Sequence, residues 1–264
     1  MSIETQTVKL GRGLADVPVL VKGDGPPLVY LHGLLGQAWS PLLEGLSAQR
    51  RVYAPALAGA DEPDDLKAFD NVHDLTIYLD DLVRALGLKR FELVGHSFGG
   101  MVAAEYAAMF PERVTKLVLI DSLGLWRDDA PVVDFTYQTP PNQAALILGE
   151  ADSEAVQQLL ALPEEPRAKN RETVRRITSM ASILHFIWPI PDRGLAKRLY
   201  RVQAPTQLIW GEQDQIVPKI YAEDFAKAIG KSQVHIIAGA SHTPHFQKPD
   251  AVLDKVQSFL AEQS

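Results

Sequence analysis

Residues 91–110 read FELVGHSFGGMVAAEYAAMF, and the pattern changes character in the middle. Phe91 to Gly95 is a short apolar run of the strand type, and Ser97 to Phe110 fits a helix. Between them, Gly95-His96-Ser97-Phe98-Gly99 satisfies G-x-S-x-G in the strand–turn–helix setting that the pattern requires. The spacing has a steric reason. An abrupt turn from strand to helix strains the apex residue and presses its neighbours against adjacent backbone. Glycine two positions either side removes those clashes. The apex hydroxyl then stands at the carboxyl end of the sheet, where open α/β sheets bind ligands. The N-terminus of the following helix offers free N–H groups and the positive end of a dipole, both suited to an oxyanion. The pattern therefore presents Ser97 as a nucleophile. A dinucleotide-binding turn is the weaker reading, because GHSFGG lacks the G-x-G-x-x-G spacing and lies too far along the chain to open a first βαβ unit.

Outward from this stretch, short apolar runs alternate with helical patterns. VPVLVKGDG from Val17, LVYLHG from Leu28 to Gly33, RRVYAPAL from Arg51 and VTKLVLID from Val114 to Asp121 are strand candidates. DLTIYLDDLVRALGL, Asp74 to Leu88, places Leu75, Tyr78, Leu79, Leu82 and Leu86 on one helical face. From Trp126 to about Arg201 no strand pattern stands out. Pro131, Pro140, Pro141, Pro163, Pro166, Pro189 and Pro191 separate short helical pieces such as EAVQQLLAL and ETVRRITSMASILHF. Alternation then resumes with the strand TQLIWG (Thr206–Gly211), the helix YAEDFAKAIG, the strand SQVHIIAG (Ser232–Gly239) and a final helix, DAVLDKVQSFLAEQ. The expected fold is α/β: a mostly parallel sheet with helices on both faces, formed by residues 1–122 and 201–264. Residues 123–200 are expected to be an inserted helical cap.

Composition bounds the function. The 264 residues carry a net charge of −7, which argues against a nucleic-acid surface, and 46% hydrophobic residues, ample for a core. No cysteine is present, so disulfides, thiolate metal sites and cysteine nucleophiles are excluded. MSIETQTVKLGRG lacks the basic cluster and apolar core of a signal peptide, and no apolar window approaches the ~20 residues of a membrane span. The expectation is a soluble, cytoplasmic protein without membrane or nucleic-acid partners. Monomer and homodimer both stay open.

Taken together, these motifs resemble the α/β-hydrolase superfamily, in its compact, cap-bearing, esterase-like branch. The resemblance runs from VPVLVKGDGPPLVYLHG through GHSFGG and WGEQDQIVP to GASHTPHFQKPD and is vague only in the cap. It implies a chain order of serine, acid, histidine. A serine hydroxyl needs an adjacent base that a third group orients. His242, in the loop after SQVHIIAG, is the implied base, although the family more often has glycine where Ser241 precedes it. His245 is its rival. Asp214 in WGEQDQIVP is the implied acid, with Asp121 at the end of LVLID as the other contender and Glu212 as a solvated or structural group. His96 packs or hydrogen-bonds near the elbow, and His73, His185 and His235 belong to core or surface. By the same resemblance, the backbone N–H groups of Leu34, in His32-Gly33-Leu34, and of Phe98 form the oxyanion hole. His32, Gly33, Trp126, Phe186 and Trp188 are candidates for an apolar substrate pocket. Arg167, Arg171, Arg175 and Arg176 read as a solvated helix face.

The expected activity is hydrolysis of a small-molecule carboxylic ester through an acyl-enzyme, with no cofactor and no metal. The alternative within the fold is carbon–carbon hydrolysis of meta-cleavage diketone products. Those relatives tend to have asparagine before the serine and tryptophan after the histidine, where this chain has His96 and Thr243. A non-catalytic small-ligand binding module of the same fold is the alternative from another class. Ser97 argues against epoxide hydrolysis and dehalogenation, which generally use an aspartate at the elbow. Lactones, thioesters and peptides stay open as substrates.

Overall fold

The computed structural model describes residues 2–149, 153–188 and 192–262, so Pro189, Pro191 and Gln263 from the sequence reading lie outside the described residues. Its strands are β1 (Glu4–Val8), β2 (Val17–Lys22), β3 (Pro27–Leu31), β4 (Arg51–Pro55), β5 (Phe91–His96), β6 (Val114–Ile120), β7 (Thr206–Gly211) and β8 (Ser232–Ile237). They form one sheet in the order β1-β2-β4-β3-β5-β6-β7-β8. β1 and β2 join antiparallel, and every pairing from β4 to β8 is parallel. The helices are α1 (Pro41–Leu46), α2 (Val72–Ala85), α3 (Phe98–Met109), α4 (Pro140–Leu148), α5 (Glu154–Leu160), α6 (Pro166–Ile187), α7 (Ile220–Ile229), the short α8 (Pro244–Gln247) and α9 (Pro249–Ala261).

The apolar runs of the central strands are continuous because both faces of the sheet are covered. Leu28 and Tyr30 of β3 face a core with Leu42, Leu43 and Leu46 of α1 and Val252, Val256 and Phe259 of α9. Val29 and Leu31 face the opposite core, with the apolar sides of α2, α3 and α7. β6 divides in the same period-two way, with Val118 and Ile120 on the first side and Leu117 and Leu119 on the other. β8 lies at the sheet edge, which leaves its Val234 and Ile236 exposed despite their apolar character.

α2 begins on a capping box between Asn71 and Asp74, and Leu75, Tyr78, Leu79 and Leu82 are buried as their spacing predicts. α3 is buried on all sides, and its alanines let it lie close on β5 and β6. Between β6 and β7 the described residues hold α4, α5 and α6 and no strand, as the sequence led one to expect. One expectation changes. The piece expected to be short is α6, a helix of 22 residues that starts with Pro166 in its first turn and the Glu165 carboxylate accepting from the Arg167 and Ala168 amides. The sequence reading also missed β1, a polar edge strand whose ETQTV carries little apolar signal, and α1, α4 and α8. The start of α1 was legible in Ser40-Pro41: the serine caps the Leu43 amide and proline sits in the first turn.

Candidate active site

The carboxyl ends of β3, β5, β6 and β7, with the loop after β8, converge on Ser97. The residue sits between β5 and α3 with φ +55° and ψ −117°, a conformation disfavoured for a residue with a side chain. The surrounding glycines show what keeps the turn in place. A Cβ on Gly95 would stand 2.3 Å from the Gly99 carbonyl oxygen, and one on Gly99 would stand 2.2 Å from the Leu31 carbonyl oxygen. Both obstacles are backbone, so nothing flexible can yield. Gly99→Ala is therefore expected to destabilise the protein by about 3 kcal/mol, the upper part of the range for overpacking, and to lower activity in parallel. A urea denaturation midpoint unchanged from wild type would refute this.

Ser97 Oγ lies 2.8 Å from His242 Nε2, and His242 Nδ1 lies 2.8 Å from Asp214 Oδ2. The side chains of His242 and Asp214 are fully buried, and so is Ser97. These contacts assign the tautomer: Nδ1–H donates to Asp214, and Nε2 accepts from the serine hydroxyl. Asp214 Oδ1 accepts from the Ile216 and Val217 amides at 2.8 and 3.0 Å, which fixes the carboxylate in the plane it offers to the ring. Sequence order leaves the acid open between Asp214 and Asp121, and the histidine between His242 and His245. The structure brings Asp214 and His242 into one line with Ser97. His245 instead turns to Tyr30, whose hydroxyl is 3.2 Å from its Nε2. Asp121 stands behind Asp214, accepting from the Gly211 amide at 2.8 Å. Glu212 is an exposed loop tie, accepting from the Gly239 amide.

The His242 loop is held from two sides. His96 donates from Nε2 to the His242 carbonyl at 2.6 Å, so the histidine beside the serine supports the loop opposite. The end of α4 holds the other side: Ser241 Oγ, Thr243 Oγ1 and Gln247 Nε2 donate to the carbonyls of Leu146, Ile147 and Leu148. Position along the chain gave no sign of this tie, because it joins residues nearly a hundred positions apart.

A Cβ on Gly33 would meet Ser97 Cβ at 2.8 Å, so the loop after β3 lies directly against the serine and carries the Leu34 amide with it. Among the described residues, neither the Leu34 nor the Phe98 amide donates to a protein acceptor. His32 is committed to structure rather than to a pocket. Its Nε2 accepts from the Leu57 amide at 3.0 Å, and its Nδ1 donates to the Gly33 carbonyl at 3.1 Å. Burial, assisted by the Arg175 charge, lowers the His32 ring to about 4 against the pull of that carbonyl. His245 falls to about 3 by burial and the neighbouring His242, and His96 falls well below its ordinary value for the same kinds of reason. Each ring is therefore neutral at pH 7.

The aromatic candidates separate. Phe186 of α6 stacks on Phe98, with ring centroids 5.9 Å apart and planes 19° apart, and so lies over the turn. Trp188 is partly exposed and meets Tyr137 edge-on, and Trp126 donates to Asp128 at the surface. The groove beside the Gly33–Leu34 loop has a volume of about 310 Å³. Leu34, Leu35, Trp39, Leu159, Met180 and Phe246 supply much of its apolar wall. Sequence reasoning missed most of these because they come from four separate segments. Arg175 and Arg176 also border this groove, where both pair with Glu172, so the solvated-face reading of these two arginines is corrected. Among the described residues, Asp121, Asp214 and His242 form a cluster dense enough in donor atoms to suggest a metal, yet Asp214 and His242 spend their facing atoms on each other.

A sequence model described as the alpha/beta hydrolase fold matches residues 26–249. The chain belongs to this alpha/beta hydrolase family. It is similar to a pimeloyl-[acyl-carrier protein] methyl ester esterase of Vibrio atlanticus, 28% identical over 90% of this chain and 96% of that one. It is also similar to a monoacylglycerol lipase of Mus musculus, 25% identical over 90% of this chain and 76% of the lipase. Among solved structures, a meta-cleavage product hydrolase from Pseudomonas fluorescens superposes with a TM-score of 0.74 at 20% identity, covering 97% of each chain. That last likeness is one of fold alone. No helix among the described residues of this alpha/beta hydrolase is long and apolar enough to cross a membrane.

Proposed function

We propose that this alpha/beta hydrolase cleaves carboxylic esters with apolar, small to medium acyl groups, using Ser97, His242 and Asp214. The observation that carries the reading is the continuous hydrogen-bond line from Ser97 through His242 to Asp214, with 2.8 Å at each junction. Ser97 Oγ attacks the ester carbonyl while His242 Nε2 takes its proton. Asp214 holds the ring in the required tautomer and stabilises the imidazolium that forms. The Leu34 and Phe98 amides face the developing oxyanion, each such donor contributing about 3 kcal/mol to the transition state. His242 returns the proton to the leaving alkoxide, and water then cleaves the acyl-enzyme by the same steps. Residues 123–200 act as a cap over this centre, with Phe186 against the elbow and the groove at Leu34 and Leu35 receiving the apolar part of the substrate. The esterase and lipase named above support the ester reading over other reactions of the fold.

The test is hydrolysis of p-nitrophenyl esters from acetate to long-chain acyl. Activity is expected to peak at one intermediate length, because a groove of about 310 Å³ lies at the small end of ligand sites. Inertness of the wild type across the whole panel would remove the ester reading.

A further inference from the structure

Asp121 closes β6 in an unusual state. Its φ is +44°, its side chain is fully buried, and its amide donates to the Ile209 carbonyl of β7. Oδ1 accepts from the Gly211 amide at 2.8 Å, while Oδ2 is buried and meets no donor among the described residues. One carboxylate oxygen from Asp121, one from Asp214 and a ring nitrogen of His242 lie within 4.8 Å of one another. Two buried carboxyl groups at that separation do not both ionise. The proton goes to the member with fewer donors. Asp214 has the Ile216 and Val217 amides and the His242 ring, whereas Asp121 has the Gly211 amide.

We infer that Asp121 carries its proton on Oδ2 and donates it to the Asp214 carboxylate, making Asp121 a positioning residue that acts on His242 through Asp214. The inference rests on the triad reading above. Burial first, then the charge of Asp214 and the hydrogen bond to it, push the Asp121 carboxyl well above the usual carboxylate range, in agreement with this placement. The same proton explains why Oδ2 meets no N–H or O–H: it is itself the donor. Besides His242, the titratable groups that face this cluster are His96 from β5 and His245 from α8, with His32 beyond His96, and burial keeps all three neutral. The charge that His242 feels at close range is therefore that of Asp214, and Asp121 moderates it. A carboxylate that accepts a strong hydrogen bond from a carboxylic acid pulls less on the imidazolium, so removing that donor strengthens the pull of Asp214 on the ring.

The experiment compares wild type, Asp121→Asn and Asp121→Ala, reading the acid limb of kcat/KM on a p-nitrophenyl ester and following the His242 ring nitrogens by NMR through the same titration. Asparagine reproduces a protonated aspartate, with Oδ1 accepting from Gly211 and Nδ2–H donating to Asp214, so D121N is expected to match wild type in both readouts. D121A removes the donor, and both midpoints are expected to rise by about one unit, a roughly tenfold change in the ionisation constant. If D121N instead lowers the midpoints, Asp121 is an anion and the inference is overturned. If D121A leaves them where they were, Asp121 only anchors Gly211, and the inference is overturned as well. Should D121A not fold, the sign read from D121N still decides. A wild type without turnover, or a Ser97→Ala enzyme that keeps it, counts against the triad reading, whereas the NMR titration reports on Asp121 regardless of turnover.

Discussion

Ser97→Ala is expected to lower ester turnover by at least about 10⁴-fold while leaving the fold and its stability close to wild type. The size follows from what the hydroxyl does. Without it no acyl-enzyme forms, and the His242–Asp214 pair has no proton to take. The residual rate would come from the Leu34 and Phe98 amides and from binding alone, acting on water. The change removes one buried hydroxyl and its bond to His242 and adds no atom to the crowded turn, so the Gly95 and Gly99 contacts persist. The measurement is kcat/KM on the best ester of the panel, with circular dichroism and thermal unfolding as controls. A variant that folds and retains more than about a hundredth of the activity would show that the hydrolysis does not pass through this serine.

A second large effect concerns acid. His32, His96 and His245 are buried and neutral, with ring values lowered to about 4, well below the ordinary value and to about 3, respectively. In the unfolded chain each ring returns to about 6.5. Groups lowered in the folded state contribute stability that is present above the unfolded value and is lost as pH falls toward the folded one. Three protons therefore favour the unfolded chain below pH 6.5, and the partly buried His235, lowered by desolvation and the Lys255 charge, adds in the same direction. Asp121 opposes them, because it is protonated in the folded state and ionised in the unfolded one down to about 3.9. The balance grows to about two protons, or about 3 kcal/mol of stability lost per pH unit, once the unfolded rings are charged, from about pH 5.5 down to about 4. Acidification from pH 6.5 to 4.5 then removes about 4 kcal/mol, a large share of the stability of a typical domain. Urea denaturation at pH 7.5, 6.0 and 5.0 checks this. Equal midpoints at pH 7.5 and 5.0 would mean that these rings find proton partners the geometry does not show.

Much of this molecule was legible in order along the chain. The G-x-S-x-G stretch, the apolar runs on either side and the spacing of Leu75, Tyr78, Leu79 and Leu82 were local signals, each produced by sterics or periodicity within a few residues. The weakly signalled elements were those whose burial is one-sided or absent. β1 has four exposed or half-exposed positions, and the apolar residues of edge strand β8 alone would have suggested an interior strand.

A serine at a strand–helix apex, acids and histidines after the later strands, and a helical segment between β6 and β7 can all be read along the chain. Tertiary structure decided which groups meet. The order β3-β5-β6-β7-β8 sets the ends of five strands side by side, so residues up to 145 positions apart come within 2.8 Å, and Asp214 rather than Asp121 takes the position against the ring. It also built the groove from Leu34, Trp39, Leu159 and Met180, and placed Asp121 behind Asp214. The physical reason is the range of the forces involved. Backbone sterics and side-chain periodicity act within a turn or two of chain, whereas carboxylate–imidazole pairing and cavity shape depend on burial that exists only once the sheet and its helices have packed.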